Sequence, residues 1–243
     1  MNAKEKKKEQ KTRSEDSDAG TADLIRELGL AASGTDFESD LQYISIIGSI
    51  EGHIALPMEN KTTKYEHLIP QLIAVEENPK LRGLLVILNT MGGDVEAGLA
   101  LAEMIATLSK PTVSLVLGGG HSIGIPLATA TDYSFIAGTA TMTLHPIRTT
   151  GLVITAETTF DYMRKTQDRV IDFIAGHSRA TKKRVTELMN CSDNMSNDVG
   201  TILFGKEAVD AGIIDAVGGV SQALGELRRR VAKVDELEKE ISI

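Results

Sequence analysis

Apolar residues in the first half of the chain follow two different periods. Short runs rich in β-branched residues predict strands, and longer segments with apolar residues at helical spacing predict helices. The predicted strands are Tyr43 to Ile47, Leu84 to Asn89, Thr112 to Leu117, Tyr133 to Ile136 and Thr141 to Leu144. The predicted helices between them are Tyr65 to Glu76, Glu96 to Ser109 and Ile123 to Ala130. This alternation predicts an α/β fold with a parallel sheet, in which ligands meet the carboxyl ends of the strands.

The second half is mainly helical in pattern. Helices are predicted over Thr155 to Ala175, Lys182 to Met189 and Lys206 to Ala211. Within residues 221–243, an apolar stripe runs among charged residues and comprises Leu224, Leu227, Val231, Val234, Leu237 and Ile241. The stripe predicts a C-terminal amphipathic helix that packs against its own domain or against a sister subunit.

The N-terminal residues 1–22 differ in composition from the rest of the chain. They have almost no apolar side chain, and four lysines precede a run of serine and acidic residues. Such a segment cannot bury enough apolar surface to offset the entropy of ordering it, so we expect a disordered charged arm. Residues 23–220 are expected to form one domain, because a chain of 243 residues with 42% hydrophobic residues can supply a single substantial core.

Charge and cysteine content exclude several classes of partner. The net charge of −8 at pH 7 would repel a polyphosphate, so we expect no nucleic-acid partner. One cysteine, Cys191, fits a reducing compartment and favours a cytoplasmic protein. No uncharged apolar run reaches about 18 residues, so no integral membrane segment is expected. With one cysteine and no H-E-x-x-H sequence, we expect neither a metal nor another cofactor.

A glycine-rich turn follows the third predicted strand. Residues 118–124 are G-G-G-H-S-I-G and contain the pattern G-x-S-x-G. A serine at a tight strand-to-helix turn is held exposed, and the next backbone N–H points towards the oxyanion that forms when the serine attacks a carbonyl. Ser122 is therefore a candidate nucleophile, and a helix N-cap is the alternative role for it.

A serine hydroxyl needs a neighbouring base, and the chain has five histidines. His145 directly follows the strand predicted over Thr141 to Leu144, where a parallel sheet presents its loops. His145 is the candidate base, with a purely structural histidine as the alternative. His121 precedes Ser122, and we expect it to line the site or to pack, because adjacent side chains leave a tight turn in different directions.

A second turn, Asn89 to Asp94, follows another predicted strand and precedes a helix. Its two glycines, Gly92 and Gly93, let the backbone approach a bound substrate closely. An ordinary tight turn and an anion-binding helix N-terminus remain alternatives here.

In combination, these segments resemble the ClpP peptidase family. The resemblance is carried by Ile87 to Gly98, Gly118 to Leu127, Met142 to Arg148 and Leu203 to Asp215. It implies a ClpP- and crotonase-like repeated β-β-α superhelix with a protruding handle helix, placed here at Thr155 to Ala175. It also implies a serine endopeptidase that cleaves peptides or unfolded proteins through an acyl-enzyme and works as a homo-oligomer. Within the family the chain is similar to the bacterial translocation-enhancing branch, which implies a link to protein secretion.

The resemblance also implies a role for each candidate residue. Ser122 is the nucleophile, His145 is the base, and the N–H groups of Gly93 and Ile123 form the oxyanion hole. Alignment of the closing segment without gaps puts Gly200 at the position of the family's catalytic aspartate. We therefore expect the acid to be Asp198, two residues earlier, with Asp193 as its competitor. Two further departures from the family are His121, where a small residue is usual, and Pro146, which directly follows the histidine.

Two other functions stay open at this point: a catalytically inactive ClpP-like scaffold and a crotonase-type enzyme acting on acyl-CoA. An α/β-hydrolase is disfavoured because its acid lies between the serine and the histidine in the chain. A serine–lysine signal-peptide peptidase is disfavoured because residues 148–157 contain no lysine.

Overall fold

The computed structural model describes residues 39–148, 155–192 and 199–241, which form eight strands and seven helices. The strands are β1 (Leu41–Glu51), β2 (Thr62–Lys64), β3 (Gly83–Gly93), β4 (Thr112–Gly120), β5 (Tyr133–Ile136), β6 (Thr141–Leu144), β7 (Thr201–Phe204) and β8 (Ala216–Val217). The helices are α1 (Tyr65–Glu77), α2 (Val95–Ala106), α3 (Gly124–Thr129), α4 (Ala156–Gly176), α5 (Lys182–Met189), α6 (Gly205–Asp210) and α7 (Val220–Ile241). The predicted arm, residues 1–22, lies outside the described residues.

A largely parallel sheet organises these elements. Its order is β2-β1-β3-β4-β5-β8, and every neighbouring pair in this path is parallel. Strand β6 leaves the path: it touches β4 where Gly119 pairs with Thr141, and it pairs antiparallel with β7. The α/β class predicted from the alternating pattern is confirmed. Because β6 meets the end of β4, the residue after β6, His145, is brought near the turn that carries Ser122.

The central strands are continuous apolar runs because both faces of the sheet are covered, as is typical of parallel sheets. In β3, Leu84, Val86 and Leu88 pack with the larger core that contains α1, α2 and α3, whereas Leu85 faces a second core. That second core includes Leu227 of α7, which is fully buried. The sequence left two packing partners open for the C-terminal amphipathic helix, its own domain and a sister subunit. The structure shows that the helix packs against its own domain.

The predicted boundaries differ from the observed ones in three kinds of place. Strands β2, β7 and β8, which span two to four residues each, were not predicted. Strands β3 and β4 continue through their glycines to Gly93 and Gly120. Helix α2 ends at Ala106 and not at Ser109.

Helix α4 occupies the place predicted for the handle helix and has two distinct halves. No residue from Ala156 to Lys165 is buried, and the side chains of Phe160 and Tyr162 are largely exposed there. The second half buries Val170, among others, against the core. Among the described residues, no helix is both long enough and apolar enough to span a bilayer.

Candidate active site

The turn after β4 holds Ser122 in a left-handed conformation. Its φ is 55°, and no other non-glycine residue in the described part of the chain has a positive φ. Such a conformation costs about 1–3 kcal/mol and persists only where the surroundings enforce it. Here the Ser122 N–H donates to the Thr143 carbonyl at 2.8 Å and the His121 N–H donates to the Thr90 carbonyl at 3.1 Å. The N-cap of α3 is Ile123, and no side chain caps that helix, so the alternative role of Ser122 as its N-cap is wrong.

The two glycines that end β3 are required by close packing. Gly92 has a φ of 92°, and a Cβ added there would lie 2.8 Å from the Ser122 Cβ. Gly93 has a φ of 153°, and a Cβ there would lie 2.2 Å from the Ile50 carbonyl oxygen. The N-terminus of α2 next to them is capped by Asp94, whose Oδ1 accepts from the Ala97 N–H at 2.8 Å. That carboxylate already satisfies the helix N-terminus, which argues against an anion site there.

Ile123 is positioned by helix α2. A Cβ added to Gly98 of α2 would lie 2.3 Å from the Ile123 Cγ1, so the helix approaches the turn at the closest possible distance. No backbone hydrogen bond among the described residues uses the Ile123 N–H. Because the first N–H groups of a helix lack partners within it, this N–H is available to a bound group.

His145 directly follows β6 and makes a hydrogen bond that defines its tautomer. Its Nδ1 lies 2.7 Å from the Pro146 carbonyl oxygen. A carbonyl oxygen can only accept, so Nδ1 carries the proton in this arrangement. In the neutral ring, Nε2 then holds a free lone pair, which is the form a general base requires.

One cavity of about 160 Å³ brings the candidate residues together. Gly93, Ser122, Ile123 and His145 all line it. Its apolar walls include Val95, Ile125, Ile147, Val170, Ile174 and Met189, and Arg148 lies at the same cavity. Drug-sized ligands need about 300–1,000 Å³, so this space fits a single side chain rather than a whole cofactor.

Contacts between α2 and α4 support the wall of the cavity formed by Val170 and Ile174. The Arg169 guanidinium donates to both carboxylate oxygens of Glu96, at 2.7 and 3.0 Å. These hydrogen bonds hold the pKa of Glu96 below its usual range. The ion pair holds the second half of α4 beside α2.

His121 packs and does not line the cavity. Its Nδ1 lies 2.9 Å from the Thr143 Oγ1, and a Cβ added to Gly119 would lie 2.5 Å from its Nε2. Of the two predicted roles, packing is therefore the observed one. Burial is the main cause that lowers the pKa of His121, and the nearby charge of His145 lowers it further.

Gly200 occupies the alignment position of the family's aspartate and lies against His145. Its φ is 143°, and a Cβ there would lie 2.4 Å from the Leu144 carbonyl oxygen and 3.0 Å from the His145 Cβ. The Gly200 N–H donates to the Cys191 carbonyl at 2.7 Å. The two candidate acids, Asp193 and Asp198, lie outside the described residues. Within the described ranges, no group of three His, Cys, Asp or Glu side chains is arranged to hold a metal ion.

The parallel α/β fold of the described residues is consistent with the fold of the Clp protease family. A model of the Clp protease family matches residues 39–221, and the chain belongs to that family. Among curated proteins, the chain is similar to the translocation-enhancing protein TepA of Halalkalibacterium halodurans. The two chains are 54% identical over 215 residues, which is 88% of this chain and 84% of that protein. The resemblance inferred from the sequence motifs is thus confirmed, including the branch of the family.

Proposed function

We propose that this protein is a serine endopeptidase that cleaves peptides or unfolded proteins through an acyl-enzyme. The observation that carries the proposal is the shared cavity of Ser122, His145, Gly93 and Ile123. It supplies a nucleophile on a strained turn, a base with a free Nε2 lone pair, and backbone N–H groups at the same surface.

The reaction would follow two balanced stages. The Ser122 Oγ attacks the scissile carbonyl while His145 Nε2 takes the hydroxyl proton, and the N–H groups of Gly93 and Ile123 stabilise the resulting oxyanion. The C–N bond then breaks, and the proton passes from Nε2 to the leaving amine. Water then attacks the ester carbonyl while His145 Nε2 takes its proton; the ester C–O bond breaks, and the proton passes from Nε2 to the Ser122 Oγ, which releases the carboxylic acid and restores the serine.

The walls of the cavity favour one kind of substrate. Their apolar side chains would receive an apolar side chain next to the scissile bond, because burial of such a group is favourable by about 1.5–3 kcal/mol. We further propose a cytoplasmic enzyme, which the single cysteine favours, with a link to protein secretion, which the name of the TepA relative supports.

A homo-oligomer is also proposed, assembled through the exposed half of α4. Phe160 and Tyr162 are 68% and 61% exposed on that half, and large exposed apolar surfaces commonly mark interfaces. Light scattering should give a mass several times that of one chain. A monomer at micromolar concentration would contradict this proposal.

The acid that orients His145 is proposed to be Asp198, with Asp193 as its competitor. Gly200 lies beside His145, and a residue two positions along the chain can be at most about 7 Å away by Cα. Asp198 stands in that relation to Gly200, and Asp193 stands in the same relation to Cys191, whose carbonyl binds Gly200. In either case the carboxylate would replace the Pro146 carbonyl as the acceptor of the hydrogen bond from His145 Nδ1–H.

Labelling with a fluorophosphonate tests the proposed function. The wild-type protein and the control Ser178→Ala should be labelled and should cleave unstructured peptides, whereas Ser122→Ala should do neither and keep its secondary structure. Ser178 is a suitable control because its Oγ accepts from the Ala180 N–H far along the chain from the turn. An unlabelled wild-type protein would favour the inactive scaffold or the acyl-CoA enzyme.

A pair of asparagine variants tests the acid. Loss of the orienting carboxylate in a serine triad costs about 10⁴-fold in turnover, so Asp198→Asn should slow acylation severely while Asp193→Asn should not. The reverse result would assign the acid to Asp193. Near-normal acylation in both variants would leave a dyad of Ser122 and His145.

A further inference from the structure

His121 occupies an unusual place between the nucleophile turn and the strand of the base. Its imidazole lies over Gly119 of β4, and its Nδ1 is hydrogen-bonded to the side chain of Thr143 on β6 at 2.9 Å. The contact therefore joins a side chain of the turn to a side chain of β6. The glycine at position 119 is what leaves room for the ring, because a Cβ would overlap its Nε2.

Thr143 contacts the serine turn at two points. Its carbonyl accepts the Ser122 N–H at 2.8 Å, and its Oγ1 meets the His121 ring. Thr143 lies in β6, and His145 follows that strand directly, two residues after Thr143. The neighbours of Thr143 in the strand, Met142 and Leu144, are both buried and hold β6 in the core.

The same geometry argues against His121 as a second base. Its ring is engaged by Thr143 at Nδ1 and lies against Gly119 at Nε2, and His121 is not among the residues that line the cavity. Burial also keeps the imidazole neutral over a wider pH range than in water, since it lowers the pKa. A neutral ring adds no positive charge beside His145, which must itself become an imidazolium during acylation.

We propose that His121 is a positioning residue for the proposed reaction: through Thr143, it fixes the distance between the nucleophile turn and the base. The inference rests on the proposed function and deepens it. The hydrogen bond from the Ser122 N–H to the Thr143 carbonyl fixes the backbone of the turn against β6. The hydrogen bond between His121 and the Thr143 Oγ1 is a second contact, and it prevents the turn from rotating about the first. Loss of the hydrogen bond between His121 and Thr143 is expected to misplace Ser122 relative to His145 without unfolding the domain.

A double-mutant cycle on His121 and Thr143 tests this positioning role. His121→Ala and Thr143→Val should each lower kcat and the rate of fluorophosphonate labelling by about 10- to 100-fold, the effect of one lost, partly buried hydrogen bond. KM should change little, because the apolar cavity is untouched. The double variant should be no slower than the slower single variant, because both remove the same interaction.

Three controls separate positioning from folding. Thr143→Ser keeps a hydroxyl and should recover most of the rate lost in Thr143→Val. His121→Asn keeps a hydrogen-bonding group near Nδ1 and should recover part of the rate lost in His121→Ala. His177→Ala removes a histidine that is hydrogen-bonded to the Phe173 carbonyl instead, and it should leave labelling unchanged.

The outcomes distinguish this inference from the proposed function. Wild-type labelling that is lost in Ser122→Ala but unchanged in His121→Ala overturns the positioning role alone. Additive losses in the double variant, or losses that thermal unfolding fully explains, also overturn it. A wild-type protein that is not labelled overturns both proposals.

Discussion

Gly200 offers a direct test of how closely the chain is packed around the base. Its φ of 143° lies in a region that side chains rarely adopt, and residues held in such regions cost about 1–3 kcal/mol. In Gly200→Ala the new Cβ would also meet the Leu144 carbonyl oxygen at 2.4 Å, and overpacking of this kind costs about 1–3 kcal/mol more. The free energy of unfolding should therefore fall by roughly 2–6 kcal/mol.

The same change should also slow the proposed reaction, because the Cβ would lie 3.0 Å from the His145 Cβ and displace this histidine, the proposed base. Urea denaturation gives the stability loss, and a fluorophosphonate labelling rate gives the effect on acylation. A loss of even 2 kcal/mol corresponds to a Tm drop of about 4–8 °C in a domain of this size. Gly200→Asp should be at least as damaging, although it restores the acid type of the family at this position.

Gly138→Ala is the matched control, because a Cβ there would have no neighbour within 4 Å and its φ is not in the positive region. Gly138→Ala should keep the urea midpoint of the wild-type protein. If Gly200→Ala kept both the wild-type urea midpoint and the wild-type labelling rate, the backbone at position 200 would not be held as described. The position of Gly200 beside His145 would then no longer support an acid upstream of it.

Two other predictions concern the second core and the buried histidine. Leu227→Ala should lower the free energy of unfolding by about 2–5 kcal/mol because Leu227 is fully buried, whereas Leu237→Ala, at 48% exposure, should change it by less than about 0.5 kcal/mol; equal urea midpoints would contradict the packing of α7. The pKa of His121 lies below its ordinary value of 6.5, so the unfolded chain binds more protons and stability should decline as pH falls below about 6.5. His121→Asn should flatten that decline, and an unchanged slope would show that His121 does not cause it.

Elements with a clear local pattern of apolar residues were predictable from the sequence. The runs at Tyr133 to Ile136 and Thr141 to Leu144 coincide with β5 and β6, and the pattern at Lys182 to Met189 coincides with α5. Each has a hydrophobic period that local sequence fixes. Strand β2 could not be predicted, because Thr62 to Lys64 is polar and becomes a strand only by pairing with the end of β1.

The candidate residues of the site could be predicted from the sequence, but the contacts between them could not. The order of the glycine pair, the serine and the histidine is visible along the chain. The contact between Thr143 and the serine turn depends on the pairing of β4 with β6, which is a long-range event without a local sequence signal. For the same reason nothing in the sequence indicated that His121 contacts Thr143. The glycine at position 119 is the one local hint, since it leaves room for a ring above β4.

The contact of Gly98 with Ile123 couples helix α2 to the proposed oxyanion hole. Helix α2 begins at Val95, two residues after Gly93, and its Gly98 packs directly against the Ile123 side chain, so one helix adjoins both residues whose N–H groups would bind the oxyanion. Because no space separates Gly98 from Ile123, a displacement of α2 towards the turn would have to move Ile123. The ion pair of Glu96 with Arg169 links the same helix to α4. A protein bound to α4 could therefore change the position of α2, and through Ile123 the rate of the proposed acylation.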